Sequence, residues 1–188
     1  MTDLETRLRA FTPPVAEPVL PEGDVSYVAT DAPVGRLLLA ATEAGLVACS
    51  YAAEEAVLER LARVVSPRVL RSPRRLDGVR RELDAYFAGR LRAFATPVDL
   101  ALAGEFGRAV LRALASVPYG TTTSYAGIAA LVGRPGAARA VGNALGANPV
   151  CVVLPCHRVV PAGGGVGGYA GGATAKRLLL DLERGAPG

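Results

Sequence analysis

Apolar residues alternate with more polar ones at the start of the regular part of the chain. Val25, Tyr27 and Ala29 recur at every second position, which is the spacing of side chains on one face of a strand. Two further apolar runs flank a turn signal at residues 42–45. The pattern therefore predicts strands within residues 24–51.

The apolar positions then change to a spacing of three and four residues. This spacing predicts helices over about residues 52–65 and 75–87, the second with Tyr86 on its apolar stripe. Residues 91–98 return to a strand pattern. Together these elements predict an α/β domain over residues 24–98 that contains no evident cluster of chemically active side chains.

The rest of the chain divides into an irregular start and a second domain. Residues 1–23 hold four prolines and no periodicity, which is typical of a loose Pro-rich extension. The second half of the chain is mainly helical, and we predict a C-terminal domain over residues 104–188. Its first helix carries Phe106 and Val110 on one face and ends before the break at Pro118.

Two short helices joined by a tight turn follow. Ser124 is placed to cap the first helix, whose inward side chains include Ile128. Residues 133–136 form a glycine-containing turn, and the second helix spans about residues 137–147. The arrangement predicts a helix-turn-helix.

The outer face of that second helix is unusual. Val141 and Leu145 form an inward stripe, whereas Arg139 and two glycines, Gly142 and Gly146, point away from it. Each glycine lowers helix stability by about 1 kcal/mol relative to alanine, so something must compensate. Close approach of DNA, with Arg139 projecting into the duplex, is one explanation; packing against another helix is the alternative.

Charge is distributed unevenly between the two halves. The chain carries a formal net charge of +4, yet residues 1–105 hold 13 basic and 15 acidic side chains, a net of −2. Residues 106–188 hold eight basic and two acidic side chains, a net of +6, and no acid occurs from Phe106 to Leu180. A stretch without acids suits a polyanionic partner such as DNA, and we expect the first half not to touch it.

The sequence also indicates where the protein works. No apolar run is longer than that at Val150–Leu154, which is far shorter than the ~20 residues that a membrane span requires, and the acidic N-terminus is not followed by an apolar segment. With three cysteines and no export signal, we expect a cytoplasmic protein with reduced thiols, in the bacterial cytosol or nucleoid. A single histidine argues against a catalytic zinc site, and we expect no metal or cofactor.

The candidate chemistry lies after the apolar run at residues 150–154, which we interpret as a strand. It leads into Cys156 and the only histidine, His157. A thiolate is a far better nucleophile than a thiol, and an imidazole can take the proton. Adjacent side chains on a strand point oppositely, so a turn or a bridging water would have to join the two. The carboxylate that orients the imidazole must come from Asp181 or Glu183, the only acids in residues 106–188.

A glycine-rich loop follows the cysteine. Residues 161–172 contain seven glycines, and Tyr169 lies among them. Glycine permits close approach of a ligand to the backbone, so we interpret the segment as a loop that folds over a flat base with Tyr169 as one wall. A flexible linker is the alternative, but the helix predicted directly after it favours an ordered loop.

These motifs resemble those of the O6-alkylguanine-DNA alkyltransferases. The central one is the run Pro155-Cys156-His157-Arg158-Val159-Val160, which is similar to the family's active-site signature. The others agree in order and spacing; they are Pro118-Tyr119-Gly120, Ser124-Tyr125, residues 137–142, Asn148-Pro149, Gly168-Tyr169, Gly172, Lys176 and residues 179–183. The resemblance implies a ribonuclease-H-like α/β N-terminal domain and a mainly α, winged-helix-like C-terminal domain with the helix-turn-helix.

The resemblance implies direct-reversal DNA repair, in which an alkyl group moves irreversibly, and once per molecule, from guanine O6 to a cysteine. Cys156 would accept the group, His157 would activate Cys156 through a water, and Glu183 would orient His157. Asn148 would brace the turn before the acceptor. Tyr125 would help to rotate the target nucleotide out of the duplex and would protonate guanine O6. Activity on O4-alkylthymine is left open.

The resemblance further implies that the partner is double-stranded DNA, bound through its minor groove by a monomer without a cofactor. Arg139 would fill the space that the flipped nucleotide leaves. The other positions implied to contact DNA or the flipped base are Tyr125, Ala137, Ala138, Gly142, Val159, Tyr169, Ala170 and Lys176. Cooperative binding along DNA is left open.

The sequence departs from the family pattern in a few places. Leu111 stands where relatives often have Trp, Ala170 where they often have Ser, and the zinc ligands and zinc-bearing sensor domain of some relatives have no counterpart. Three other functions fit part of the sequence. A non-enzymatic lesion binder would lack Cys156, a helix-turn-helix regulator leaves the Cys–His–Glu set unexplained, and a thiol hydrolase needs an oxyanion hole that the sequence does not indicate. A buried structural role, which we expect for Cys49 and Cys151, is the alternative for Cys156.

Overall fold

The computed structural model describes residues 24–185, so the predicted extension over residues 1–23 lies outside it. Its N-terminal part is built on a four-stranded sheet in the order β3-β2-β1-β4. The strands are β1 (Val25–Ala32), β2 (Gly35–Thr42), β3 (Gly45–Ser50) and β4 (Val69–Arg71). The first three form an antiparallel meander, and β4 pairs in parallel with β1.

One helix covers each face of this sheet. Leu38 and Leu39 are neighbours on β2 and therefore point to opposite faces. Leu38 packs in the cluster that α1 (Glu54–Val64) completes with Leu61, whereas Leu39 packs in the cluster covered by α2 (Asp77–Phe87). Full burial of a side chain such as Leu61 contributes about 2 kcal/mol.

Both predicted N-terminal helices are present, but one predicted strand is not. Among the described residues, the segment 91–98 forms only an isolated bridge between Val98 and Leu46. The sheet takes its fourth strand from residues 69–71 instead. A three-residue strand is too short to show alternation, which is why the sequence pattern missed it.

The C-terminal part packs its helices around a second core. They are α3 (Glu105–Ala113), α4 (Tyr125–Leu131), α5 (Ala138–Gly146) and α6 (Gly172–Arg184), with a two-residue parallel pair, β5 (Thr123–Ser124) and β6 (Val159–Val160). Helices α4 and α5 form the predicted helix-turn-helix, and Ser124 caps α4 by accepting a hydrogen bond from the Gly127 amide at 3.0 Å. The predicted fold class, an α/β domain followed by a mainly helical one, is confirmed. No helix within residues 24–185 is both long and apolar enough to cross a membrane.

The apolar run at residues 150–154 is a turn, and the strand predicted there is wrong. Val152 adopts φ = 70°, a left-handed conformation that β-branched residues rarely take. The turn lies against the edge strand β3: the Cys49 amide donates to the Pro149 carbonyl, and the Cys151 amide to the Cys49 carbonyl, both at 2.8 Å. These bonds pair the backbone of β3 along an edge of the sheet that would otherwise be open to solvent. They also join the two halves of the molecule a few residues before Cys156, the candidate acceptor.

Candidate active site

The Glu183 carboxylate, on α6, is the centre of a buried hydrogen-bond network. Its Oε1 accepts from the Tyr86 hydroxyl at 2.7 Å, His157 Nε2 at 2.9 Å and Arg158 Nη2 at 2.9 Å. Its Oε2 accepts from Arg158 Nε at 2.8 Å and the Gly120 amide at 3.1 Å. Burial alone would oppose ionisation, but the hydrogen bonds from His157, Arg158 and Tyr86 lower the pKa of Glu183 to about 2. The carboxylate is therefore ionised at neutral pH.

Asp181, the other acid of residues 106–188, takes no part in this network. Its side chain is 58% exposed and forms an ion pair with Arg184 at 3.7 Å. The structure therefore brings Glu183, and not Asp181, to His157, which resolves the choice that residue types alone left open.

The His157 imidazole is fully buried and held in one tautomer. Burial lowers its pKa despite the hydrogen bond to Glu183, so the ring is neutral. Because an ionised carboxylate can only accept, Nε2 carries the hydrogen and donates it to Glu183. The other nitrogen, Nδ1, is then the basic one, and it is buried without a hydrogen-bond partner among residues 24–185. The ring is thus prepared to accept a proton at Nδ1.

Arg158 and the segment before α4 complete the network. The Arg158 guanidinium donates to the Val117 carbonyl at 2.7 Å and lies over the Tyr119 ring at 5.7 Å. Gly120 adopts φ = 75°, and a Cβ atom at this position would lie 2.9 Å from the Glu183 carbonyl oxygen. Glycine is therefore required where the chain passes close to the Glu183 backbone.

Asn148 closes the turn that precedes the candidate acceptor. Its Oδ1 accepts from the Val150 amide at 3.0 Å, while its Nδ2 donates to the Leu154 carbonyl at 3.3 Å and to Cys156 Sγ at 3.1 Å. Asn148 lies two residues after the end of α5 and is buried. One amide therefore links the end of α5 to the sulfur.

The surroundings of Cys156 favour its thiolate. Its pKa lies below the ordinary value because the Cys151 thiol hydrogen-bonds to its sulfur; burial acts in the opposite direction, and Asn148 and the charge of Lys176 lower it further. By contrast, burial and the nearby Cys156 raise the pKa of Cys49 to about 12. Of the three free cysteines, Cys156 is the one whose electrostatics suit a nucleophile.

Cys156 opens onto a cavity of about 260 Å³ between the helix-turn-helix and the glycine-rich loop. The cavity is lined by Tyr125, Gly142, Leu145, Gly146, Cys156, Gly168, Tyr169 and Ala170. Lys176 is buried and holds the loop in place, since its ammonium donates to the Val159 carbonyl at 2.7 Å and to the Gly168 carbonyl at 3.2 Å. The predicted ordered loop with Tyr169 as a wall fits this geometry.

The outer face of α5 is as bare as the sequence predicts. Arg139 is exposed in the first turn of α5, with Ala138 before it and Ala137 at the cap position. Gly142 is half-buried, and a Cβ atom there would lie 3.8 Å from the Tyr125 ring. Small residues therefore leave this face open while Arg139 extends from it. Nowhere within residues 24–185 do three metal-ligating side chains gather in a cluster.

Comparison with known proteins identifies the family. Residues 105–185 match the DNA-binding domain of 6-O-methylguanine DNA methyltransferase, and residues 25–100 match its ribonuclease-like domain. The methylated-DNA–protein-cysteine methyltransferase of Mycolicibacterium paratuberculosis is 42% identical over 85% of this chain and 93% of the relative. The chain belongs to the O6-methylguanine-DNA methyltransferase family.

Other members of this methyltransferase family support the assignment. The methylated-DNA–protein-cysteine methyltransferase of Methanosarcina acetivorans is 39% identical over 84% of this chain and 97% of its own. The crystal structure of Mycobacterium tuberculosis O6-methylguanine methyltransferase superposes with a TM-score of 0.75 at 38% identity, covering 87% of this chain and 95% of that one. A structure of Mycobacterium tuberculosis OGT in complex with DNA gives a TM-score of 0.74 at 39% identity, covering 86% and 95%.

Within this methyltransferase fold, the predicted catalytic residues fall into one neighbourhood. Cys156 and Tyr125 line the same cavity, Asn148 contacts the sulfur, and Glu183 binds His157. Of the residues predicted to contact DNA or the flipped base, Gly142, Tyr169 and Ala170 also line that cavity, Arg139 is exposed, and Ala137 and Ala138 are half-buried. Lys176 and Val159 differ, because both are buried and meet each other through a hydrogen bond.

The sequence missed one member of the network entirely. Tyr86 comes from the N-terminal half, where no chemically active cluster was expected, and its hydroxyl contacts Glu183 across 97 residues of sequence. The available signal was weak: a tyrosine on an apolar stripe buries a hydroxyl, which then needs a partner. The apolar periodicity indicates that Tyr86 faces the core, but it does not predict which residue its hydroxyl binds.

Proposed function

We propose that this protein repairs O6-alkylguanine in duplex DNA by transferring the alkyl group irreversibly to Cys156 Sγ. The observation that carries the proposal is the position of this thiol. It lies in a cavity between a helix-turn-helix and a glycine-rich loop, next to a buried His–Glu pair. The names of the relatives, methylated-DNA–protein-cysteine methyltransferases, support the same reaction.

The proposed transfer begins with the removal of the Cys156 proton. A bridging water passes this proton to His157 Nδ1, the nitrogen left basic by the hydrogen bond between Nε2 and Glu183. Glu183 stays ionised and stabilises the imidazolium that forms. The role of the network is thus to keep the correct nitrogen available and the ring fixed.

The thiolate then attacks the alkyl carbon. A carbon–sulfur bond forms while the bond between carbon and guanine O6 breaks, and its electron pair stays on the oxygen. Tyr125, on the wall of the same cavity, protonates that oxygen. Water does not displace a thioether at neutral pH, so each molecule reacts once.

The target nucleotide must leave the duplex to reach a buried thiol. We place the minor groove of the DNA on α5, where Ala137, Ala138 and Gly142 allow close approach and exposed Arg139 fills the space of the flipped nucleotide. The flipped base enters between Tyr169 and Ala170 of the loop and the Val159 backbone. Lys176 acts on this base indirectly, because it is buried and holds the Val159 and Gly168 carbonyls. The protein works as a cytoplasmic monomer.

The decisive experiment is the intact mass of the protein after mixing with a duplex that contains one O6-methylguanine. We expect the wild type to exchange one hydrogen for one methyl group and then to stop. Cys156→Ser should gain nothing, while Cys49→Ala, which removes a buried thiol from β3, should gain the methyl group normally. An unchanged wild-type mass, or a mass gain in Cys156→Ser, would disprove the proposal, and release of methylated product with repeated turnover would favour a hydrolase.

A further inference from the structure

Tyr51 lies behind the wall of the cavity that holds Cys156. It follows β3 directly and so belongs to the N-terminal half, yet it packs against apolar clusters of both halves. Its ring meets the Tyr169 ring edge to face, with 5.5 Å between the centroids and 72° between the planes. Because Tyr169 lines the cavity, Tyr51 can act on a ligand there through this ring.

The hydroxyl groups of the two tyrosines also meet. They lie 3.4 Å apart, and burial raises the pKa of both, so each keeps its proton and one donates to the other. Among residues 24–185, Tyr51 is the one hydrogen-bond partner of the Tyr169 hydroxyl. The Tyr169 ring also meets the His157 ring nearly at right angles, with 6.3 Å between the centroids. The direction of the Tyr169 side chain thus depends on a contact with the N-terminal half.

The backbone of the glycine-rich loop fits closely against the same ring. A Cβ atom on Gly171 would lie 2.6 Å from Cζ of Tyr51, so a larger residue at position 171 would require the ring to move. The Gly172 amide donates to the Tyr169 carbonyl at 3.0 Å, which closes residues 169–172 into a turn. Tyr51 therefore contacts both the side chain that forms the wall and the backbone that carries it.

This contact lies next to open space. Tyr51 borders a second cavity, of about 350 Å³, which is also lined by Gly146 and Ala170. The same two residues line the cavity that holds Cys156, so the two cavities adjoin. With open space beside the loop, the contacts with Tyr51 limit how far residues 169–171 can move.

We propose that Tyr51 is a positioning residue, which holds Tyr169 and the loop backbone at Gly171 where they form the wall for the flipped base. The inference rests on the proposed function, since the wall has this purpose only if the cavity takes an alkylated guanine. Tyr51 acts on the base through Tyr169. Its replacement should therefore weaken capture of the base and leave the nucleophile intact.

The test uses two alkylating agents that react with the same sulfur. O6-methylguanine, supplied in a duplex or as the free base, must be held by the wall, whereas chloroacetamide is small and needs no wall. Second-order rate constants should be measured for Tyr51→Phe, which keeps the ring, and Tyr51→Ala, which removes it. Tyr27→Phe is the matched control, because it removes the hydroxyl of a half-buried tyrosine that packs in the cluster under α1. Fragmentation of the tryptic peptide 140–158 shows whether Cys156 is the residue alkylated.

We expect Tyr51→Ala to slow methyl transfer about tenfold and Tyr51→Phe to slow it about threefold, from the duplex and the free base alike. Chloroacetamide should alkylate Cys156 in both variants at least as fast as in the wild type, because a displaced wall uncovers the sulfur. Tyr27→Phe should match the wild type in every reaction.

Two further measurements separate positioning from general damage to the fold. In a Tyr169→Phe background, Tyr51→Phe should cause no further loss, because the two substitutions remove the same hydrogen bond. Without DNA, amide hydrogen exchange in residues 161–172 should be faster in Tyr51→Ala than in the wild type.

Three results would overturn the inference. They are unchanged methyl transfer in the Tyr51 variants, equal slowing of methyl transfer and of the chloroacetamide reaction, and additive losses in the variant that carries both phenylalanines. If Tyr51→Ala fails to fold, Tyr51→Phe and that double variant decide. If loop exchange is faster in Tyr51→Ala but the wild type takes no methyl group from either substrate, the proposed function fails and the positioning of the loop by Tyr51 stands.

Discussion

Replacement of the Glu183 carboxylate by an amide tests the central network directly. Glu183→Gln keeps the shape of the side chain but removes the charge that accepts five hydrogen bonds, and it leaves buried Arg158 without its counter-ion. Removal of one partner from a buried ion pair typically costs about 3–5 kcal/mol. For a chain of this length that corresponds to a fall in Tm of roughly 10 °C. The amide can also donate to His157 Nε2, which would move the ring hydrogen to Nδ1 and remove the base.

Asp181→Asn supplies the matched control, since it removes the same charge two residues away on the same helix. Its exposed pair with Arg184 is worth less than about 1 kcal/mol. Thermal unfolding and single-turnover transfer from a methylated duplex should be measured for both variants. Glu183→Gln should slow transfer about 100-fold or more, and Asp181→Asn should behave as the wild type. Equal losses in the two variants, or a Glu183→Gln protein that melts within about 2 °C of the wild type, would refute the reasoning.

Three further predictions follow from the geometry. The free energy of unfolding should fall as the pH drops from about 4.5 to about 2, because folding lowers the pKa of Glu183 from 4.5 to about 2. We expect a loss of about 3 kcal/mol, measured by urea unfolding. An unfolding free energy that stays constant over this pH range would contradict the prediction. Gly120→Ala should destabilise the protein by at least about 1 kcal/mol more than Gly133→Ala, because both glycines have positive φ but only at Gly120 would the new Cβ clash, with the Glu183 carbonyl oxygen. Equal melting temperatures of the two variants would argue against this clash. Arg139→Ala should slow transfer from duplex DNA about tenfold or more while leaving transfer from the free base O6-methylguanine unchanged. The control variant Arg63→Ala, which replaces an exposed arginine on α1, should change neither rate. Equal losses on both substrates in Arg139→Ala would exclude Arg139 as the residue that replaces the flipped nucleotide.

The local spacing of apolar residues and the small number of acids in the second half account for what could be predicted from the sequence. The two short helices follow from apolar spacing around a glycine turn, and Ser124 marks the start of α4 in both the pattern and the structure. The partner of His157 could be narrowed to two acids because the second half has so few. The choice of Glu183 from residue types alone was not possible, since Asp181 lies on the same helix and only packing decides which side chain is buried.

Contacts between distant segments account for what could not be predicted. An apolar run such as residues 150–154 is compatible with a strand or a buried turn, and here the Asn148 side chain and the edge of β3 decide for the turn. Tyr86 belongs to the network only because α2 packs against the C-terminal half. Neither the turn at residues 150–154 nor the contact of Tyr86 with Glu183 produces a periodic pattern in the sequence.

The attachment of the turn to β3, together with the Tyr86 hydroxyl, sets the size of the smallest working protein. A fragment trimmed to residues 104–185 would keep the acceptor thiol, its base and the helix-turn-helix. Its carboxylate, however, would lose a donor, and the strained Val152 would lose the core into which it packs. The N-terminal half supplies no residue to the proposed DNA surface, yet it holds the nucleophile's turn in shape. Truncation to the cysteine-bearing domain should therefore yield a protein that binds DNA more readily than it repairs it.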